Sequence, residues 1–142
     1  MNILIVEDQY YSRMVLQKMM KSYGVCHEAV DGKEAVLAFR RAWTKGSPYD
    51  LVLLDIMMPE MDGLEALDQI RDFEKSQGVP DSEKVRVVML TALGDKENVH
   101  RAMYDGGADA YLIKPVHVQK LNLVLSDLGF EPVDLAAAES SQ

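Results

Sequence analysis

A single cysteine, Cys26, stands among 142 residues. That scarcity excludes an internal disulfide framework and a multi-cysteine metal site, and it fits a reducing compartment, with the cytoplasm as the expected location. Basic residues are also few: 15 Lys and Arg face 23 Asp and Glu, for a net charge of −8. Such a balance offers no general surface for a phosphate backbone, so neither DNA nor RNA is an expected partner. Long apolar stretches are missing as well. Runs such as Ile3 to Val6, Leu51 to Leu54 and Ala35 to Phe39 fall far short of the roughly 20 residues that a membrane span needs. No basic segment leads into a signal-peptide core, and no membrane attachment is expected. A chain of this length can bury one sizeable core, and a second folded domain is not expected.

Five strand-sized apolar runs recur: Asn2 to Val6, Val25 to Ala29, Asp50 to Leu54, Val85 to Leu90 and Ala110 to Ile113. Those at Ile3 and Leu51 are continuously apolar, and that at Val85 is interrupted only by Arg86, the pattern of strands covered by helices on both faces. Between them lie segments of helical spacing: Tyr11, Val15, Leu16 and Met19; Ala35, Val36, Phe39 and Trp43; Leu64, Leu67, Ile70 and Phe73. Two more follow, one around Val99, Ala102 and Met103 that stops at Gly106-Gly107, and one around Val118, Leu121, Leu125 and Leu128 that stops at Gly129. Strict alternation of strand and helix predicts an α/β fold, a parallel sheet with helices on both faces. The polar stretch from Glu74 to Lys84 reads as an unusually long loop. Residues 131–142 carry no basic side chain and read as a tail or linker stub after a domain over residues 1–130.

Ligands of an open parallel sheet bind at the carboxyl ends of its strands. Glu7-Asp8 follow the first run, Asp55 the third, Thr91 the fourth and Lys114 the fifth; the second contributes nothing obvious. Taken singly, each has an ordinary reading: Asp8 as a helix cap, Asp55 and Thr91 as turn residues, Lys114 as a solvated strand end. Together they gather three acids on one edge. Two carboxylates about 5 Å apart repel by roughly 3 kcal/mol at an effective dielectric near 20, so such an edge needs a counter-ion. Oxygen donors alone, on an open rim, suit Mg²⁺ better than a Ca²⁺ cage. Mg²⁺ in turn implies phosphate, with Lys114 and Thr91 placed to meet phosphoryl oxygens and Asp55 as the central acceptor.

Val6-Glu7-Asp8, the stretch from Leu53 through Asp55 to Met61-Asp62-Gly63, Leu90-Thr91-Ala92 and Lys114-Pro115 resemble, in order and spacing, the signature of the response regulator receiver domain of two-component signalling. The resemblance covers about residues 1–130. It implies a flavodoxin-like, doubly wound sheet of strand order 2-1-3-4-5. It implies that Asp55 is the phospho-acceptor, that Asp8 binds Mg²⁺ directly, Glu7 through water and Met57 through its carbonyl, and that Lys114 and Thr91 contact the phosphoryl group. A cis Lys114-Pro115 bond belongs to the same pattern. Phosphorylation would draw Thr91 inward, turn Tyr111, and reshape the face of the fourth helix, fifth strand and fifth helix, where Met103, Tyr104, Tyr111, Val116 and His117 are candidate contacts. The implied protein is a cytoplasmic, chemotaxis-regulator-like switch and not an enzyme, beyond catalysing its own phosphorylation and dephosphorylation. Its partners would be a sensor histidine kinase or phosphotransfer protein and a downstream effector, and its state a monomer or weak phosphorylation-dependent dimer. Two alternatives stand beside it: a non-phosphorylated pseudo-receiver that serves as an interaction module, and a flavodoxin-like carrier or phosphatase on the same fold. Against the last, no Gly-rich phosphate loop follows the first strand, and Met57 stands where a second Asp would be needed.

Overall fold

A computed structural model describes residues 1–133; the remainder of the tail expected over 131–142 lies outside the described residues. Strands β1 (Asn2–Val6), β2 (Val25–Ala29), β3 (Leu51–Asp55), β4 (Arg86–Thr91) and β5 (Ala110–Ile113) alternate with helices α1 (Tyr10–Met20), α2 (Gly32–Thr44), α3 (Gly63–Ser76), α4 (Lys96–His100) and α5 (Val118–Asp127). The strands form one parallel sheet in the order β2-β1-β3-β4-β5, as the resemblance implied.

Side-chain alternation along each strand divides the core in two. Leu4, Val6, Val52, Leu54, Val87 and Met89 face α2 and α3, where they meet Phe39, Leu67 and Ile70. Ile3, Ile5, Leu51, Leu53, Val88 and Leu90 face the other way and meet Leu16 and Met20 of α1 and Leu121 and Leu125 of α5. All five residues of β3 are buried, which accounts for its unbroken apolar run. Asp31 and Asp62 cap α2 and α3, each accepting a hydrogen bond from the backbone N–H three residues on, at 2.8 and 2.9 Å.

Three features depart from the sequence-based expectation. First, β3 and β4 are shifted by one residue, so that Asp55 and Thr91 are the last residues of their strands instead of the first beyond them. Their backbones remain in the ladder: Ile56 N–H donates to Leu90 O at 3.0 Å and Lys114 N–H to Thr91 O at 2.8 Å. Second, α4 is only five residues long and passes into a wide π-turn over Arg101–Asp105, where Gly106 N–H bonds Arg101 O at 2.9 Å.

Third, the long loop expected from Glu74 is shorter, because α3 continues to Ser76 and a 3₁₀ turn forms at Asp81–Glu83. Glu74 is buried: its Oε1 accepts from Arg71 Nη1 at 2.8 Å and its Oε2 from Val85 N–H at 2.7 Å. Arg71 also donates to Gly107 O and Asp109, so α3 is tied to the amino-terminal ends of β4 and β5. Removing Glu74 would leave the buried Val85 N–H without a partner and take from Arg71 one of its two carboxylates. Glu74→Ala is expected to cost about 3 kcal/mol, read as a lower urea midpoint at unchanged slope.

Candidate functional site

The strand ends bring together the residues singled out from the sequence. Glu7 and Asp55 are buried and Asp8 faces solvent, and one carboxylate oxygen from each lies within 4.8 Å of the others. Adjacent parallel strands β1 and β3 pair Val6 with Leu54, which sets Glu7 and Asp55 side by side. Lys114, just past β5, reaches across: its Nζ donates to Asp55 Oδ2 at 2.6 Å and stands 2.8 Å from Glu7 Oε2. Asp55 Oδ1 accepts from Met57 N–H at 3.2 Å, and Glu7 Oε1 from Gln9 N–H at 3.2 Å.

Burial raises the Glu7 carboxyl above its ordinary value, and the nearby Asp55 charge pushes it further, against the pull of Lys114. The Lys114 ammonium is also held above its ordinary value; burial works against it, but bonding to Asp55 and Glu7 outweighs burial. Both shifts describe one cation shared by too many anions. Glu7 Oε2 shows the consequence: although close to Lys114, it is buried and accepts no well-formed hydrogen bond. A buried carboxylate oxygen whose one close partner is an ammonium shared with Asp55, beside two further carboxylates and with oxygen as the only donor type, fits a hard divalent cation.

Thr91 is buried, and its hydroxyl makes only a long 3.4 Å bond to Ala92 O. Tyr111 points outward from β5, 44% exposed, beside a groove of about 660 Å³ between α4 and β5 that Thr91, Met103 and Tyr104 also line. Val116 departs from the expected face: it packs toward α1 and lines a separate groove with Glu7 and Tyr11. Cys26 is half-buried in the edge strand β2, its thiol pushed up by burial and by Glu28. His27 bonds the Tyr49 hydroxyl at 2.8 Å and takes no part in the acidic cluster. The Lys114-Pro115 bond is cis.

Two contributors escaped the sequence reading. Strand β2 does reach the site, since Ala29 O accepts from Glu7 N–H at 3.1 Å. Gly63 packs directly on the Asp55 carbonyl, where a Cβ would collide with it, and its N–H closes the loop on Ile56 O at 2.8 Å. Gly63 ends the motif that runs from Leu53 and stands just before the third helical segment, but the return of that helix onto Asp55 depends on tertiary packing.

A mutation at Lys114 separates these charges. Lys114→Met leaves Glu7 and Asp55 facing one another, so the Glu7 carboxyl rises further. A group whose folded value is raised stabilises the fold below its unfolded value and loses that contribution as pH climbs through the folded one. Without divalent cations, the variant is expected to be less stable than wild type by about 1–3 kcal/mol at pH 7, discounted for the partial exposure of Lys114. The deficit should narrow toward pH 4.5, as followed by chemical denaturation across pH.

The family model of the response regulator receiver domain matches residues 3–126. The chemotaxis protein CheY of Treponema pallidum is 35% identical over 121 residues, covering 84% of this chain and 76% of its own. That of Halobacterium salinarum is 30% identical, covering 89% of this chain and 94% of its own. Histidine kinases match as well: the peroxide stress-activated histidine kinase mak1 of Schizosaccharomyces pombe is 33% identical over 89% of this chain, which spans only 7% of the kinase. Among solved structures, a CheX-CheY-BeF3-Mg complex from Borrelia burgdorferi is similar at a TM-score of 0.77 and 30% identity, covering 92% of this chain and 90% of that one. The receiver domain of Saccharomyces cerevisiae Ssk1, crystallised with the histidine phosphotransfer protein Ypd1, is similar at 0.73 and 31% identity, covering 88% and 86%. With the strand order, the acidic cluster and the spanning lysine already in place, the chain belongs to the response regulator receiver domain family of two-component signalling.

Proposed function

We propose that this chain is a phosphorylation-activated switch in which Asp55 accepts a phosphoryl group from the phosphohistidine of a sensor histidine kinase or phosphotransfer protein. The observation that carries this reading is the shared cation. Lys114 holds Asp55 at 2.6 Å and Glu7 at 2.8 Å, leaving an acceptor carboxylate fixed beside the positive charge that a phosphoryl group needs. Asp8, Asp55 and the Met57 carbonyl would hold Mg²⁺ directly, and Glu7 through water. Bound Mg²⁺ supplies charge neutralisation for the phosphoryl oxygens. A solved relative's complex contains Mg and BeF3, in keeping with this assignment.

In the transfer, an Asp55 carboxylate oxygen attacks phosphorus in line with the imidazole nitrogen of the donor. The O–P bond forms as the P–N bond breaks; its electron pair stays on the imidazole, which takes a proton from solvent. Lys114 pairs with the phosphoryl oxygens, and Thr91 exchanges its long bond to Ala92 for a bond to the acyl phosphate. Hydrolysis of that acyl phosphate resets the switch, so the chain turns over no external substrate beyond its phosphodonor.

Movement of Thr91 frees space beside the α4–β5 groove, and Tyr111 turns into it. The face formed by α4, β5 and α5, with Met103, Tyr104 and His117, then presents a different surface to a downstream effector. The receiver unit is residues 1–130, working in the cytoplasm as a monomer or weak phosphorylation-dependent dimer. Among the described residues no helix is long and apolar enough to cross a membrane. Relatives carry the same module both as nearly whole chemotaxis proteins and as a small part of histidine kinases, which supports a phosphotransfer partner in either setting.

Acetyl phosphate with Mg²⁺ is expected to add one phosphoryl group to the wild type, seen by intact mass, and none to Asp55→Asn; an unmodified wild type would sink the proposal. Thr91→Ala is expected to be labelled at Asp55 yet to lose the amide chemical-shift changes at Tyr111 that beryllofluoride induces in the wild type.

A further inference from the structure

The loop that carries Glu7 and Asp8 is short; Glu7 N–H is held by Ala29 O and its Oε1 by Gln9 N–H, but neither contact holds the Glu7–Asp8 peptide carbonyl. Helix α1 begins with Gln9 at its cap position, without a side-chain cap bond and without an acidic residue in the first turn. What anchors that carbonyl comes from further along. Arg13 Nη1 donates to the Glu7 carbonyl oxygen at 2.9 Å. That oxygen belongs to the peptide unit joining Glu7 to Asp8, and a peptide unit is planar, with the Cα of both residues in the plane. A guanidinium fixed to this carbonyl therefore fixes the plane from whose end the Asp8 side chain projects.

Arg13 is itself restrained on three sides. Its side chain is 12% exposed, its Nε stands 3.6 Å from Glu28 Oε2 on β2, and its guanidinium carbon lies 5.7 Å from the Tyr10 ring centroid. The Glu28 pair alone is too long and too exposed to account for a largely covered arginine. The Glu7 carbonyl is the shorter contact, and its donor is charged, which makes it the stronger hydrogen bond. Nor does Arg13 neutralise the acids, since it meets the back of the loop while Lys114 meets the carboxylates.

We infer that Arg13 is a positioning residue for the metal site, holding the Glu7–Asp8 peptide plane so that Asp8 and Glu7 converge with Asp55. This rests on the reading of Glu7 and Asp8 as Mg²⁺ ligands. It also gives β2 a role through Glu28, which braces Arg13 from the neighbouring strand. Arginine suits the task because its fork can reach a carbonyl and a carboxylate at once, as a lysine ammonium on one flexible stem does less well.

Titration calorimetry with MgCl₂ alone tests the inference on the full chain. Arg13→Ala is expected to raise the Mg²⁺ dissociation constant about tenfold, the lower end of the range for residues that orient metal ligands. At saturating Mg²⁺, its labelling rate with acetyl phosphate should stay within about twofold of wild type, because the reacting groups at Asp55, Thr91 and Lys114 are untouched. Arg13→Lys, which keeps a charged donor but not the fork, should recover only part of the lost affinity. Arg13→Met, which keeps the packed stem and drops the donors, is read in the same way should the alanine variant unfold. An unchanged dissociation constant in a folded Arg13→Ala or Arg13→Met variant overturns the inference, and so does a labelling rate at saturating Mg²⁺ that falls as far as the affinity. A wild type that binds no Mg²⁺ overturns the metal-site reading itself, a result distinct from either.

Discussion

One ammonium shared between two buried carboxylates is the interaction on which the site depends. Lys114 at 2.6 Å from Asp55 and 2.8 Å from Glu7 leaves the edge of the sheet with more negative charge than it can satisfy. Burial intensifies the imbalance, because a carboxylate removed from water feels its neighbours through a weaker dielectric. The fold tolerates this local cost because β3, buried along its whole length, anchors Asp55 from beneath. A divalent cation and a phosphoryl group then act together: one relieves the acids, the other brings oxygens for the cation and for Lys114. Receptivity to phosphate is thus the other side of the electrostatic strain in the resting protein.

The opposite end of the sheet is built on the reverse principle. Arg71, Glu74, Asp109 and Arg86 form a network in which each charge has a partner, and Glu74 also takes the Val85 N–H. Charges there are satisfied and lock α3 to β4 and β5, while those at the carboxyl ends are left wanting a ligand. Placing the two sets at opposite ends of the strands lets one secure the fold while the other remains reactive.

Much of this was legible in the sequence. Apolar runs at Ile3, Leu51 and, past Arg86, at Val87 mark the buried strands, and chemistry at strand ends follows from parallel topology, so Glu7, Asp8, Asp55, Thr91 and Lys114 could be singled out together. What remained hidden depends on contacts distant in sequence. Glu74 looks like an ordinary solvated acid because its partners at Val85 and Arg71 become meaningful only after α3 packs. Arg13 looks like the polar face of a helix until the Glu7 carbonyl is seen to turn toward it. The spacing of Val99, Ala102 and Met103 suits an α-helix, and nothing in it announces the wide turn that follows His100.

That wide turn bears on how such chains can differ in length. A π-turn accommodates one more residue per turn than an α-turn, and here it sits between the loop after Thr91 and the Gly106-Gly107 corner, with Ala102 its one buried residue. The segment can therefore lose or gain a residue by exchanging one turn type for the other, while β4 and β5 keep their register. An insertion within β1, β3 or β4, by contrast, would shift a strand end and with it Glu7, Asp55 or Thr91. The turn that follows α4 is thus one place where the chain's length can change without moving the strand ends that hold its chemistry.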